Sequence, residues 1–346
     1  MKKLKAGVIG IGGIAKGAHL PALESNDKVE VIALCDIRKK RAKKKAKEMG
    51  IKKVYKDYKN LLDIREIDLV HICTPNNYHS IIAVEALKKG KHVLCEKPDA
   101  INVDEVLKMK KASENSNKVL MTVRNNRFLS DFQFLNEYLT PKKREDIYAA
   151  KCGWIRVRGI PGKGGWFTTK AKSGGGPLID LGVHMIDVVV WLMGNPKPVS
   201  VMGSTYRKFA EEGNEDNKNE GTFDVEDLAM GFVKFDNGVT LALEFSWASN
   251  IEQTDRYIEL LGSDFGAKWH SKDSNLKLFT EINGRTTIQK PNILSGGGHY
   301  ENIDHFLNCI LGKEEPIFTP EQGVDMIKIL TSIYESAEKG KEIKLN

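Results

Sequence analysis

No stretch of this chain approaches the roughly 18 consecutive apolar residues that a membrane-spanning helix needs. The first strand-like run begins at Leu4, which leaves no room for a signal peptide. Neither export nor a membrane partner is expected. Cysteine is scarce: the five residues at 35, 73, 95, 152 and 309 form no C-x-x-C pair, and Cys35, Cys73 and Cys95 sit near the ends of apolar runs, as small buried hydrophobes do. That usage is expected of a reducing cytoplasm. Lys and Arg exceed Asp and Glu by 53 to 46, much of the excess falling in Arg38 to Lys47, but that segment lacks the aromatic residues that stack on bases. A solvated helix face fits it better than a nucleic-acid patch, and no nucleic-acid partner is expected. The acidic run Glu211 to Asp227 has no interleaved histidine or cysteine, so it reads as a solvated loop, and no metal site is expected.

What is present starts at the N-terminus. An apolar run, Leu4 to Ile9, leads directly into Gly10-Ile11-Gly12-Gly13-Ile14-Ala15, and Asp36 closes the next apolar run, Val29 to Asp36. A glycine turn between a strand and a helix, with an acidic residue at the end of the second strand, is the fingerprint of a dinucleotide site. Gly10 permits the tight turn, Gly12 lets the backbone approach a pyrophosphate, and Ala15 lets the helix pack on the strand. A plain structural turn is the alternative. Asp36 would accept hydrogen bonds from the adenosine ribose and repel a 2′-phosphate, favouring NAD over NADP; Arg38, two residues on, works against that preference.

With 346 residues, 41% of them apolar, the chain can form two domains. Up to about residue 122, apolar runs (Asp68 to Cys73, His92 to Cys95, Val119 to Thr122) alternate with helical segments such as Tyr78 to Lys89 and Val103 to Glu114. This βαβ alternation predicts a doubly wound parallel sheet. From about residue 147, longer strands alternate with period two, most clearly Leu228 to Phe235 and Val239 to Trp247 around Asp236-Asn237-Gly238, a hairpin signal. The expected division is a domain with a doubly wound parallel sheet, 1–123, and an α/β domain with a mostly antiparallel sheet, 124–346; the resemblance set out below implies that the first is a Rossmann domain and that the second sheet is large and open. Helices are expected at Tyr300 to Leu311 and Pro320 to Lys339.

Three segments carry chemistry. Thr74-Pro75-Asn76-Asn77-Tyr78-His79 and Glu96-Lys97-Pro98 each follow a buried strand, at the carboxyl ends where doubly wound folds bind ligands. Lys97, held between a carboxylate and a proline, is either rigidly positioned or an ordinary surface lysine. The third segment is a helix from Pro177 to Gly194, with an apolar stripe through Leu181, Met185, Val188 and Leu192 beside a polar one through Asp180, His184 and Asp187. Polar groups in so apolar a helix must be paired or face a wet cleft. His184 can be a metal ligand, a general base oriented by a carboxylate, or a structural histidine; the base fits best, because an imidazole can take a proton from an alcohol near neutral pH.

Together, Gly10 to Ala15, Cys73 to His79, Cys95 to Pro98 and Gly174 to His184 resemble the Gfo/Idh/MocA oxidoreductase family, in order and spacing, over about residues 3 to 345. The resemblance implies hydride transfer between NAD(P) and a secondary alcohol carbon of a sugar, sugar derivative or inositol. It also implies a homodimer or homotetramer formed through the open sheet. By motif it makes Lys97, Asp180 and His184 the catalytic trio, all three touching substrate, with Lys97 preceding a frequently cis peptide. Thr74, Pro75, Asn77 and His79 become cofactor-loop residues beside Gly10, Ile11, Gly12, Gly13, Ile14, Asp36 and Arg38. Glu96 lies beside the nicotinamide ribose, and Trp166 lines the cofactor or substrate site. Val123 to Phe128 departs from the family pattern, and Arg127 is assigned there to the substrate side. Two alternatives remain: an enzyme with tightly held NAD(P) that oxidises and re-reduces its substrate, and a non-catalytic nucleotide-sensing regulator.

Overall fold

A computed structural model of the chain describes residues 3–209, 222–272 and 275–345; the acidic run expected as a loop lies, up to residue 221, outside them. The chain forms two units, Met1–Phe128 with Gly297–Val324, and Leu129–Gly296 with Asp325–Asn346. The division read from the sequence is contiguous and the observed one is not. The returning segment carries the helix His299–Ile310, whose Ile303, Phe306, Leu307 and Cys309 join the core of Val8, Leu34, Leu69 and Leu94. An amphipathic pattern says that a helix packs, not which core receives it.

The first unit is built on six parallel strands: β1 (Leu4–Ile9), β2 (Val29–Cys35), β3 (Lys53–Tyr55), β4 (Leu69–Ile72), β5 (His92–Cys95) and β6 (Leu120–Thr122), in the order β3-β2-β1-β4-β5-β6. The order reverses between β1 and β4, the switch point at which open α/β sheets bind ligands. Five strands fall where the alternation predicts; β3 has three residues, too few to show a period. The basic run forms the helix Lys39–Glu48, which buries only Ala42 and Ala46.

The second unit holds β7 (Ile147–Ile155), β8 (Pro198–Tyr206), β9 (Leu228–Phe235), β10 (Thr240–Ser246), β11 (Asp255–Gly262), β12 (Phe265–His270), β13 (Asn275–Ile282), β14 (Arg285–Gln289) and β15 (Ile343–Lys344), ordered β14-β13-β12-β11-β7-β10-β9-β8-β15. Adjacent strands are antiparallel except β7 and β10. The Asn-Gly turn joins β9 to β10, with Gly238 at φ +86°, a left-handed position natural to glycine. Alternation gives the sheet two unlike faces: Ala229, Val233 and Phe235 are buried while Met230 and Phe232 on the same strand are exposed.

The helical run Lys170–Leu192 is long and apolar enough to cross a membrane by length and composition, and 83% of its apolar window is buried in the fold. It is hydrophobic on nearly every side because it is a core helix, and scattered polar residues hid its length from a search for unbroken apolar runs.

Candidate active site

In the first unit β1 runs into the glycine turn. Gly10 has φ +89°, and a side chain there would place its Cβ 2.4 Å from the Cys73 carbonyl oxygen, so this turn accepts only glycine. A Cβ at Gly12 or Gly13 meets nothing within 4 Å, which leaves that side of the turn open, and the neighbouring Ile14 is exposed. Asp36 is buried at the end of β2 and accepts hydrogen bonds from the backbone N–H of Ile11 (2.9 Å) and of Arg38 (2.7 Å). Arg41 lies 3.6 Å from its Oδ2. The Arg38 side chain is exposed.

At the carboxyl end of β4, Pro75 introduces a single turn of 3₁₀ helix, Asn76–Tyr78. Thr74 Oγ1 and Asn77 Oδ1 are buried there with no hydrogen-bond partner, groups that native proteins rarely leave unsatisfied. His79 is fully buried and bridges two loops, with Nδ1 2.7 Å from the Pro98 carbonyl and Nε2 2.9 Å from that of Thr74. Burial holds its pKa below the ordinary value. A neutral ring has one N–H to donate, so it hydrogen-bonds one of these two carbonyls at a time. In the loop after β5, Glu96 is buried and takes a hydrogen bond from His19, and the Lys97–Pro98 peptide is cis. An open glycine turn, a carboxylate at the end of β2 and two orphaned polar atoms at the switch point suit a dinucleotide.

The second unit holds the helical pair. Leu178–Gly182 is a π-helical turn that passes into the helix Val183–Leu192, a type of irregularity that recurs at functional sites. In residues 175–189, Asp180 and His184 alone are not buried. Trp247 is fully buried and donates from Nε1 to Asp180 Oδ2 at 3.0 Å, which fixes that carboxylate. Trp154 lies beside His184, ring centres 6.1 Å apart. The start of the segment is locked by Glu226, which accepts from the backbone N–H of Gly176 (2.9 Å) and Leu178 (3.1 Å) and from the Tyr334 hydroxyl (2.8 Å). Burial pushes the Glu226 carboxyl up to about 7 against these bonds. Asp187, the third member of the expected polar stripe, is buried. Trp166 is half-buried and stacked on Phe167 at 3.8 Å.

Trp247, Glu226 and Trp154 went unnoticed in the sequence. Trp247 ends a predicted hairpin strand, and its two-residue alternation gives no sign of a hydrogen bond to a residue 67 positions away. Arg127, expected on the substrate side, is 1% exposed, donates from Nη1 to the Ile317 carbonyl and Gln322 Oε1, and lies over Phe318.

A doubly wound parallel unit with an open glycine turn, joined in one chain to an antiparallel α/β unit bearing an oriented Asp–His pair, defines a dinucleotide-dependent oxidoreductase. Residues 4–123 match the sequence pattern of an oxidoreductase family with an NAD-binding Rossmann fold, and residues 145–345 match that family's C-terminal α/β domain. The chain belongs to the Gfo/Idh/MocA oxidoreductase family. It is 32% identical over 347 residues to D-glucoside 3-dehydrogenase of Escherichia coli, covering 99% of this chain and 97% of that protein. With glucose-6-phosphate 3-dehydrogenase of Bacillus subtilis it shares 30% identity over 84% of this chain and 80% of that one. The crystal structure of the WlbA dehydrogenase from Bordetella pertussis, in complex with NADH and UDP-GlcNAcA, superposes over 100% of this chain and 99% of that one at a TM-score of 0.82 and 22% identity, a likeness of fold.

Proposed function

We propose that this enzyme oxidises a secondary alcohol of a sugar, sugar derivative or cyclitol by hydride transfer to NAD(P), with NAD preferred, and that it works in the cytoplasm as a homodimer or homotetramer. The nicotinamide supplies the hydride acceptor. The glycine turn, Asp36 and the Thr74–Asn77 loop hold the cofactor, with Trp166 against it or the substrate. His184 takes the hydroxyl proton as the carbon-bound hydrogen leaves. Asp180, itself held by Trp247, binds substrate and orients the imidazole. Lys97 stabilises the negative charge that develops on the oxygen.

The observation that carries this reading is the partial exposure of Asp180 and His184, one turn apart, among the otherwise buried residues 175–189: a structural histidine would be buried with its neighbours. The match of Lys97, Asp180 and His184 to the family's motifs supports it, as do relatives named for sugar oxidation at position 3. Replacing a general base costs about 10²- to 10⁴-fold, so His184→Ala is expected to lower kcat at least about a hundredfold while cofactor affinity stays nearly unchanged. Lys97→Met is expected to do likewise. Steady-state NADH formation on a panel of sugars, with cofactor titration by fluorescence, checks both. A folded His184→Ala enzyme turning over within tenfold of the parent would make His184 structural.

A further inference from the structure

Two guanidinium groups crowd the indole beside His184. Arg156 and Arg256 each place their guanidinium carbon 4.9 Å from the centre of the Trp154 ring, and Arg256 also lies 5.5 Å from that of Trp269. Strand alternation explains how Arg256 comes to lack an acid. On β11, Asp255 and Glu259 share one face, where they pair with His270, Lys268 and Lys151. Arg256 belongs to the other face, with the buried Ile258 and Leu260, and stands opposite Trp154 of β7. The acids of this strand thus neutralise cations on the far face and leave Arg256 facing two indoles.

Among the described residues neither arginine has a carboxylate at ion-pair distance; Arg156 Nη1 donates to the Gly159 carbonyl at 3.1 Å. Burial lowers the pKa of both guanidinium groups. The charge of Arg156 lowers that of Arg256 further, while Asp180 raises that of Arg156. Two half-buried like charges oppose folding, and indole faces offset only part of the cost. Such an excess of fixed positive charge, next to the candidate base, suits an incoming anion: guanidinium groups bind phosphate and carboxylate in a planar, bidentate geometry.

We propose that Arg156 and Arg256 receive an anionic group, phosphate or carboxylate, carried by the sugar that this enzyme oxidises. The inference rests on the dehydrogenase reading and specifies the charge of its substrate. NAD(P)-linked kcat/KM is measured for neutral hexoses, their 6-phosphates and the matching uronates. At least one anionic class is expected to exceed its neutral parent about tenfold or more, equivalent to about 1.4 kcal/mol, and the two arms tell phosphate from carboxylate. The advantage is expected to shrink as salt is raised, to fall below about threefold in Arg256→Met, which retains the packing stem, and to recover in part in Arg256→Lys. Arg156→Met provides the same reading if Arg256→Met fails to fold.

A neutral sugar oxidised as well as its anionic partners, or a preference that survives both methionine variants, would overturn the anion site while leaving the dehydrogenase intact. If no sugar is oxidised, the dehydrogenase reading fails, and calorimetric titration with the 6-phosphates and uronates still decides the anion site. Binding lost in Arg256→Met upholds it; binding absent or unchanged overturns it.

Discussion

Asp36 shows how one side chain can bias cofactor choice. Each of its oxygens accepts one backbone N–H, from Ile11 or Arg38, and an ionised carboxylate has about four acceptor sites, so both oxygens can still receive a ribose hydroxyl. Its charge repels a 2′-phosphate. Against this stand Arg41 at 3.6 Å and the exposed Arg38. The parent enzyme is expected to prefer NAD, and Asp36→Ala to reduce the NAD:NADP ratio of kcat/KM by about tenfold, roughly the 1.4 kcal/mol of one charge-assisted hydrogen bond. Kinetics with both cofactors checks this; a preference for NADP untouched by the substitution would refute the role given to Asp36. The carboxylate was legible in the sequence because it ends a strand at a fixed place relative to a glycine turn. Arg41 was not, because its approach depends on the rotation of the next helix.

Three elements of the first unit meet at His19. The π-helical turn Ala15–His19 follows the glycine turn and delivers this buried ring to β4 and to the end of β5: Nδ1 lies 2.8 Å from His71 Nδ1, and Nε2 lies 2.7 Å from Glu96 Oε1. Burial alone would lower the pKa of His19, but Cys73 and the Glu96 carboxylate outweigh it and bring it to about 10. Burial likewise favours neutral Glu96, yet His19 and the other nearby cations bring it down to about 2. Burial and the charge of His19 keep His71 neutral, so His19 donates from both nitrogens. The signs follow by linkage. The contribution of His19 is complete below its unfolded pKa near 6.5 and is lost as pH rises toward 10. That of Glu96 is complete above about 4.5 and is lost as pH falls toward 2. The pair therefore stabilises most between about pH 4.5 and 6.5. Removing one partner of a buried pair costs about 3–5 kcal/mol, so His19→Ala is expected to lose about that much at pH 6 and clearly less at pH 9. Denaturant unfolding of both proteins at the two pH values measures the difference; equal losses would exclude the ion pair.

The open face of the second sheet is a property of the whole molecule. Met202 pairs directly with Phe232 across β8 and β9, and these two, with Met230 and Tyr206, are each about half exposed. Bare apolar sheet surface of this kind is the surface at which self-association is expected, since an open sheet face invites pairing. Light scattering at micromolar concentration is expected to give twice or four times the monomer mass. Replacing Met202 and Phe232 with lysine is expected to shift that mass toward the monomer. A monomeric parent protein would refute association through this face.

The first sheet, the β9–β10 hairpin, the glycine turn and the Asp180–His184 pair were readable because each depends on local regularities: period-two or helical patterning, an Asn-Gly turn, a glycine that must adopt positive φ, two polar residues one turn apart. The three-residue β3, the return of 297–324 to the first unit, the hydrogen bond from Trp247 to Asp180, the burial of Arg127 and the crowding of Arg156 with Arg256 were not readable. Each depends on which surfaces meet after the chain has folded back across tens to hundreds of positions. A one-dimensional pattern records which face of an element is apolar. Only packing decides what that face touches, and so which charges are neutralised.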